Sequence, residues 1–423
     1  MRTFKKDGIT FWLLDLPNSN KFSYEIRFDL GSSIERIYPK EIYGCTHFIE
    51  HLSFKSTRDY DTQTLNKNLK KYGYGNATTS FDYMNFYMDS NLDYKEIVVD
   101  LVNNIALNDL TRLNIHELNI ERDIVSSEIK MYSDDPKDNF NMLSQCKLFN
   151  LDINDNICGS VDVINNISKE DLIKIKSLFL HKENISVIIQ YDPVEDIDAL
   201  IDNLIIPKIN NFIGDKILDK EFKDKYLSQD LNLNYNNPSI IIPLKDLEQD
   251  YIKIVFENIN KLNLNFTLDY LNYYSENSLY EIIREKEGLT YYVSLGHLKV
   301  IQKDYIVLFS EIKKDNIDKF IRLFKQTLDS VISNLTIEQY DNYMINRKVS
   351  YYHEFSNIKK PLYMLPDIIN DSLIYEYFKD KDLTNESVIQ YYKDTETFEN
   401  LKNNLLEFKN LVDTNKYIVS HTI

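Results

Sequence analysis

Short apolar runs near the start of the chain, "ITFWLLDL" (9–16) and "FSYEIRFDLGS" (22–32), predict two strands. A helix follows at 44–57, and a second is predicted through "TQTLNKNLKKYG" (62–73). The segments "GNATTS" (75–80) and "NFYMDS" (85–90) read as two more strands. In "DYKEIVVDLVNNIAL" (93–107) the apolar residues recur at helical spacing, and another long helix is expected through "NIHELNIERDIVSSEIKMY" (114–132). A helix capped by Ser168 and the strand "NISVIIQY" (184–191) close this half.

Residues 209–238 show weak periodicity and many Asn, Asp and Lys, the pattern of a linker. Beyond it the order resumes. Strands at 239–243 and 250–257 lead to a helix ending in "SLYEIIREKEG" (278–288). The paired strands "LTYYVSLGHL" (289–298) and "YIVLFSEI" (305–312) come next, then helices at 316–332 and 336–352. Strand–strand–helix, hairpin, long helix, long helix thus occurs twice. The expectation is an α+β fold of two homologous α/β-sandwich domains, 1–208 and 239–423, each a mixed or antiparallel sheet covered by helices.

Length and composition narrow the picture. A chain of 423 residues suits two or more domains, and 43% hydrophobic with 27% charged residues is globular composition. No run of eighteen apolar residues exists, so no membrane span is expected. The first twenty residues look like neither a signal nor a transit peptide. Cys45, Cys146 and Cys158 are too scattered for a disulfide framework or a cysteine zinc site, and a cytoplasmic protein is the simplest expectation. A net charge of −17 argues against nucleic-acid binding. It serves solubility, or else an acidic cavity that attracts basic peptides.

Seven histidines serve the whole chain, yet "GCTHFIEHLSFKST" (44–57) places His47 and His51 four apart with Glu50 before the second. On a helix these three share a face, while Cys45, Phe48, Ile49 and Leu52 cover much of the rest. Burying two imidazoles and a carboxylate without partners costs on the order of several kcal/mol. A zinc ion removes that cost, since it takes neutral imidazoles as ligands. The bland alternative is an exposed polar stripe. A catalytic zinc needs a third protein ligand, and Glu117, Glu121 and Glu128 on the helix 114–132 are candidates. Glu121 and Glu128 lie two turns apart on one face; spacing alone does not choose between them, nor does it exclude a solvated acidic stripe.

The motif has the H-x-x-E-H form of the inverzincins. It resembles the pitrilysin, insulinase and mitochondrial processing peptidase family, whose pattern is G-x-x-H-F-x-E-H-x-x-F-K-G-T. "ERDIVSSE" (121–128) resembles that family's E-R-x-x-[IV]-x-x-E segment. The resemblance implies that His47, His51 and Glu128 bind Zn2+, that Glu50 is the general base, and that Glu121 supports the ligands. "GYGNATTSFDYMNFY" (73–87) is similar to the family's substrate-pairing edge strand and carries over Asn76 and Ala77, although Met84 stands where a threonine is usual. "REKEGLTYYVS" (284–294) resembles R-x-K-x-G-L-x-Y, which implies that Arg284 and Tyr291 hold substrate. Ser56 replaces the usual glycine of the motif.

The second half has no metal motif, and superposing the long helices sets Tyr343 against Glu121 and Ser350 against Glu128. The remaining histidines are isolated and read as surface or core. The resemblance therefore implies a zinc endopeptidase acting on extended peptides (small peptides, processing or leader segments) in an enclosed chamber. It implies a clamshell pair, either a homodimer or a heterodimer with a related subunit. The alternative is a non-catalytic subunit of an assembly.

Overall fold

A computed structural model describes residues 2–422 other than 39–41, 153, 195, 215–217, 230, 236–237, 245–246, 258–264, 301–302, 356–384 and 415–416. The protein is α+β, with two mixed sheets and a separate hydrophobic core on each. The first sheet contains β1 (Arg2–Lys6), β2 (Ile9–Asp15), β3 (Lys21–Phe28), β4 (Tyr74–Thr79), β5 (Met84–Asn91) and β6 (Ile185–Tyr191). Its spatial order is β1-β2-β6-β3-β5-β4, so β4 lies at one edge. The second contains β7 (Ser239–Ile242), β8 (Gln249–Glu257), β9 (Thr290–Val300), β10 (Lys303–Lys313) and β11 (Tyr417–Thr422), in the order β7-β11-β8-β10-β9.

The repeat expected from the chain is present in the topology. With β1 set aside, both sheets place their strands in the same sequence of first, fifth, second, fourth and third. In each, the pair β2–β6 or β7–β11 is parallel and every other pair is antiparallel. The alternation that predicts β3 also explains its packing. Phe22, Tyr24, Ile26 and Phe28 are fully buried in the first core, and Ser23, Glu25 and Arg27 take the other face. Ile252, Ile254 and Phe256 of β8 do the same in the second core.

Helices α1 (Cys45–Ser53), α2 (Thr62–Tyr72), α3 (Lys95–Ala106) and α4 (Ile115–Asp134) follow the expected order, as does α7 (Lys169–Ser177), capped by the Ser168 side chain. Periodicity did not reveal α5 (Pro136–Leu148) or α6 (Val161–Asn166). The compact units are interleaved along the chain: among the described residues, those within 132–153, 230–355 and 385–422 form the second, and those within 2–131 and 154–229 the first. Helix α5 belongs to the second, where Phe140 stacks on Tyr251 with centroids 5.6 Å apart and lies tilted against Phe309 at 6.3 Å. The expected linker carries a helix, Lys220–Leu227, capped by Asp219; only its Tyr226 is buried, which left no stripe to read. The Ser33 hydroxyl donates to the Tyr226 hydroxyl at 3.2 Å. Among the described residues no helix is long and apolar enough to cross a membrane.

Lys176 of α7 is wholly buried in the first core. Its ammonium donates to the carbonyl of Ala106 (2.8 Å) and to the Ser53 hydroxyl (3.2 Å), over the rings of Phe28 and Phe86. Burial pulls its pKa from 10.5 down to about 7. The unfolded chain therefore holds this proton at pH values where the folded chain has released it, and stability rises with pH across that window. Relative to Lys176→Met, the wild type should gain stability as pH rises from about 7 to about 10.5. Denaturant titrations at stepped pH measure the difference, and a flat difference would show that the amine titrates alike in both states.

Candidate metal centre

Helix α1 starts at Gly44, whose φ of 88° lies in the left-handed region. A Cβ there would stand 2.4 Å from the carbonyl oxygen of Cys158, and one on Gly159 would stand 2.1 Å from that of Tyr43. The two glycines let the 156–160 loop pass against the start of the helix. Cys45, Phe48, Ile49 and Leu52 then bury one face of α1 in the first core. The remaining face carries His47, Glu50 and His51, as the spacing required.

The imidazoles lie edge to face, 4.7 Å between centroids. Helix α4 brings Glu128 opposite them, its carboxylate 3.9 Å from His47 Nε2 and 3.4 Å from His51 Nε2. One ligand atom from each of the three residues lies within 4.8 Å of the others. A tetrahedral zinc with bonds near 2.1 Å spaces its ligands about 3.4 Å apart, so the set needs little adjustment. His47 is 8% exposed, and neither of its ring nitrogens makes a hydrogen bond among the described residues. Such a group lacks a partner that a metal supplies. The donor chemistry fits zinc.

Glu121 stands one turn pair before Glu128 and behind His51. Its Oε2 lies 3.3 Å from His51 Nδ1, and its Oε1 lies 2.5 Å from the Lys55 ammonium. A carboxylate holding the Nδ1 proton leaves Nε2 free to ligate. Burial opposes charge on His51, but the Glu121 bond and the charges of Glu50 and Glu128 outweigh it and raise its pKa. Burial, helped by His51, takes His47 down to about 4, which keeps its imidazole neutral. On Glu121 burial is outweighed by the bonds from His51 and Lys55, and its pKa falls. Burial raises that of Glu50. Thr79 of β4 donates to Glu50 Oε2 at 2.6 Å.

Glu117, the other acid considered on α4, accepts from the Ser56 hydroxyl at 2.6 Å and from Thr62. It ties down the loop after α1 and stays out of the metal set. Asn76 and Ala77 lie on the edge strand β4, Asn76 exposed and Ala77 buried. In the second unit the Arg284 guanidinium sits 4.6 Å from the ring centroids of both Tyr280 and Tyr291, with Tyr291 79% exposed. Tyr343 is buried with its hydroxyl on the Phe266 carbonyl at 2.8 Å. The side chain of Ser350 lies outside the described residues.

Residues 13–151 match the family described as Insulinase (Peptidase family M16), and residues 166–346 match the Peptidase M16 inactive domain. The chain belongs to the M16 peptidases. Among relatives of the M16 chain, an uncharacterized zinc protease of Mycobacterium leprae is 33% identical over 141 residues. That match spans 32% of this chain and only 30% of the relative. An uncharacterized zinc protease of Rickettsia bellii is 22% identical over 355 residues, 79% of this chain and 78% of that one. The crystal structure of a protease from Helicobacter pylori shares the fold, with a TM-score of 0.73 at 16% identity, covering 100% of this chain and 99% of that one.

Thr79 and Lys55, which hold Glu50 and Glu121, carried no signal in the sequence that marked them as site residues. Thr79 lies in the quoted edge-strand segment, but nothing local ties it to Glu50. Gly44→Ala should cost about 2 kcal/mol or more, from the left-handed φ and the collision with Cys158. A lower urea midpoint with reduced zinc uptake is the expected result; an unchanged midpoint would show that the 156–160 loop yields.

Proposed function

We propose that this M16 chain is a zinc-dependent endopeptidase that hydrolyses extended peptides. The observation that carries the reading is the convergence of His47, His51 and Glu128 with Glu50 on the same face of α1. His47, His51 and Glu128 would hold the ion, and Glu121 would fix the His51 ring by its Nδ1 proton. Zinc, when bound, supplies Lewis acidity that polarises a carbonyl and makes water acidic near neutral pH. Glu50 takes the proton of the attacking water and returns it to the leaving amine. Thr79 holds one carboxylate oxygen of Glu50 and leaves the other for that proton.

The exposed edge of β4 suits a substrate in extended form, since backbone donors and acceptors there can add a strand. Asn76 and Ala77 would line that edge. Arg284 and Tyr291, already paired by a cation–π contact, offer a charged and a hydroxyl donor for the substrate backbone. Small peptides, processing segments and leader segments all meet this description. The paucity of cysteines suits a reducing compartment, and a cytoplasmic location belongs to the same proposal. Two chains closing on a chamber complete it. Retention of both the metal set and the Arg284–Tyr291 pair on one chain favours a homodimer over a heterodimer.

Purified protein should carry about one zinc per chain, lost in His51→Ala. Glu50→Gln should keep the zinc and lose peptide hydrolysis by at least about a hundredfold, because an amide cannot accept the proton. Stoichiometric zinc in His51→Ala, or near-normal turnover by Glu50→Gln, would remove these roles.

Mixing inactive Glu50→Gln with inactive Arg284→Ala tests the pairing. If each metal centre uses its partner's clamp, mixed dimers hold one intact site, and up to about a quarter of wild-type activity returns. No return despite subunit exchange would rule out the shared site.

A further inference from the structure

Glu35 lies in no motif and touches no metal ligand, yet its surroundings are arranged around a carboxylate. The 3-10 turn Ser32–Arg36 places it, 3% exposed, at the start of α1. Oε2 accepts from the Gly44 amide at 2.7 Å and Oε1 from the Thr46 amide at 2.6 Å, with Cys45 Sγ 3.5 Å from Oε1. Gly44 has no side chain to cap the helix, and no cap hydrogen bond comes from it. The Cys45 amide donates locally to the Ile42 carbonyl at 3.0 Å, whereas the acceptor for the Gly44 and Thr46 amides comes from the turn that carries Glu35. These amides form the positive end of the helix, where a carboxylate is favoured.

Among the described residues no cationic side chain pairs with Glu35; its neighbour Arg36 pairs instead with Asp155 at 2.9 Å. Burial pushes the Glu35 carboxyl up to about 7, against the pull of the bonds from Thr46 and Gly44. A charge buried without a counter-ion is costly as a stabiliser, because peptide dipoles alone offset its desolvation. Its geometric effect is specific, however. Cys45, Phe48, Ile49 and Leu52 set the roll of α1 by their burial, and the amides of Gly44 and Thr46 are left for Glu35 to hold. Thr46 directly precedes His47.

We propose that Glu35 is a positioning residue for the metal centre: by holding the amides of Gly44 and Thr46 it fixes the first turn of α1 and so the direction of the His47 imidazole. This rests on zinc binding at His47, His51 and Glu128, and not on peptide hydrolysis. A glutamine at 35 keeps the size but turns one acceptor into a donor facing an amide. One of the two bonds is lost and two donors are set against each other.

The test measures zinc affinity by chelator competition and the visible spectrum of the cobalt(II)-substituted protein, for wild type and Glu35→Gln. Zinc affinity is expected to fall at least about tenfold, with a shifted cobalt band that reports altered ligand geometry. A folded Glu35→Gln with wild-type affinity and an unchanged cobalt band would overturn the proposal, however much its unfolding midpoint fell. If that variant does not fold, Glu35→Asp carries the test. It keeps the charge but is one methylene too short to reach both amides, and the same two readouts apply. A wild type that binds zinc but cleaves no peptide would sink the peptidase reading alone. A wild type that takes up no zinc would remove both.

Discussion

The burial of Cys45, Phe48, Ile49 and Leu52 in the first core sets the roll of α1, and every chemical feature of the first unit depends on it. With that face against the sheet, the histidines and Glu50 project together toward α4 and β4. A one-residue change in the roll, about 100°, would carry them into apolar surroundings where each costs free energy. The hydrophobic effect thus aims side chains with which it has no direct contact. The polar bonds then act on geometry already chosen: Glu35 at the first turn, Thr79 at Glu50, Glu121 behind His51.

The two units show what the fold requires and what the chemistry adds. Strand order, parallel pair and long helices recur, so the scaffold stands without metal ligands. In the second unit the residue that the sequence offset sets against Glu121 is Tyr343, whose hydroxyl bonds a backbone carbonyl, and one turn on Arg347 pairs with Asp269 and Glu396. An ion pair and a neutral phenol satisfy the interior there. The first unit keeps acids and imidazoles together, an arrangement with too many acceptors and too few donors for its own balance. A divalent cation would correct that balance.

Charge within the first unit follows the same logic. His47 is neutral because it is buried, and His51 is held toward its cationic form by three carboxylates when no metal is present. Lys55 balances Glu121 from the far side. The set therefore has a defined orientation before any ion arrives, which lowers the reorganisation needed on binding.

Local sequence by itself determined the helix that carries His47, Glu50 and His51, because helical spacing depends only on neighbours three and four residues apart. It also determined most strands, whose alternation is equally local, and the cap at Ser168. The resemblance of two short motifs then singled out Glu128 from Glu117 and Glu121, where spacing left all three open. Tertiary structure alone decided that Glu117 ties a loop and that Lys176 lies between Ser53 and Ala106. It alone placed α5 with the second unit and brought the C-terminal strand β11 between β7 and β8. It alone set Glu35 at the start of the metal helix. These are contacts between segments far apart in the chain or joined by irregular turns. No periodicity encodes them; they are fixed only when the cores close and each buried polar group must find a partner.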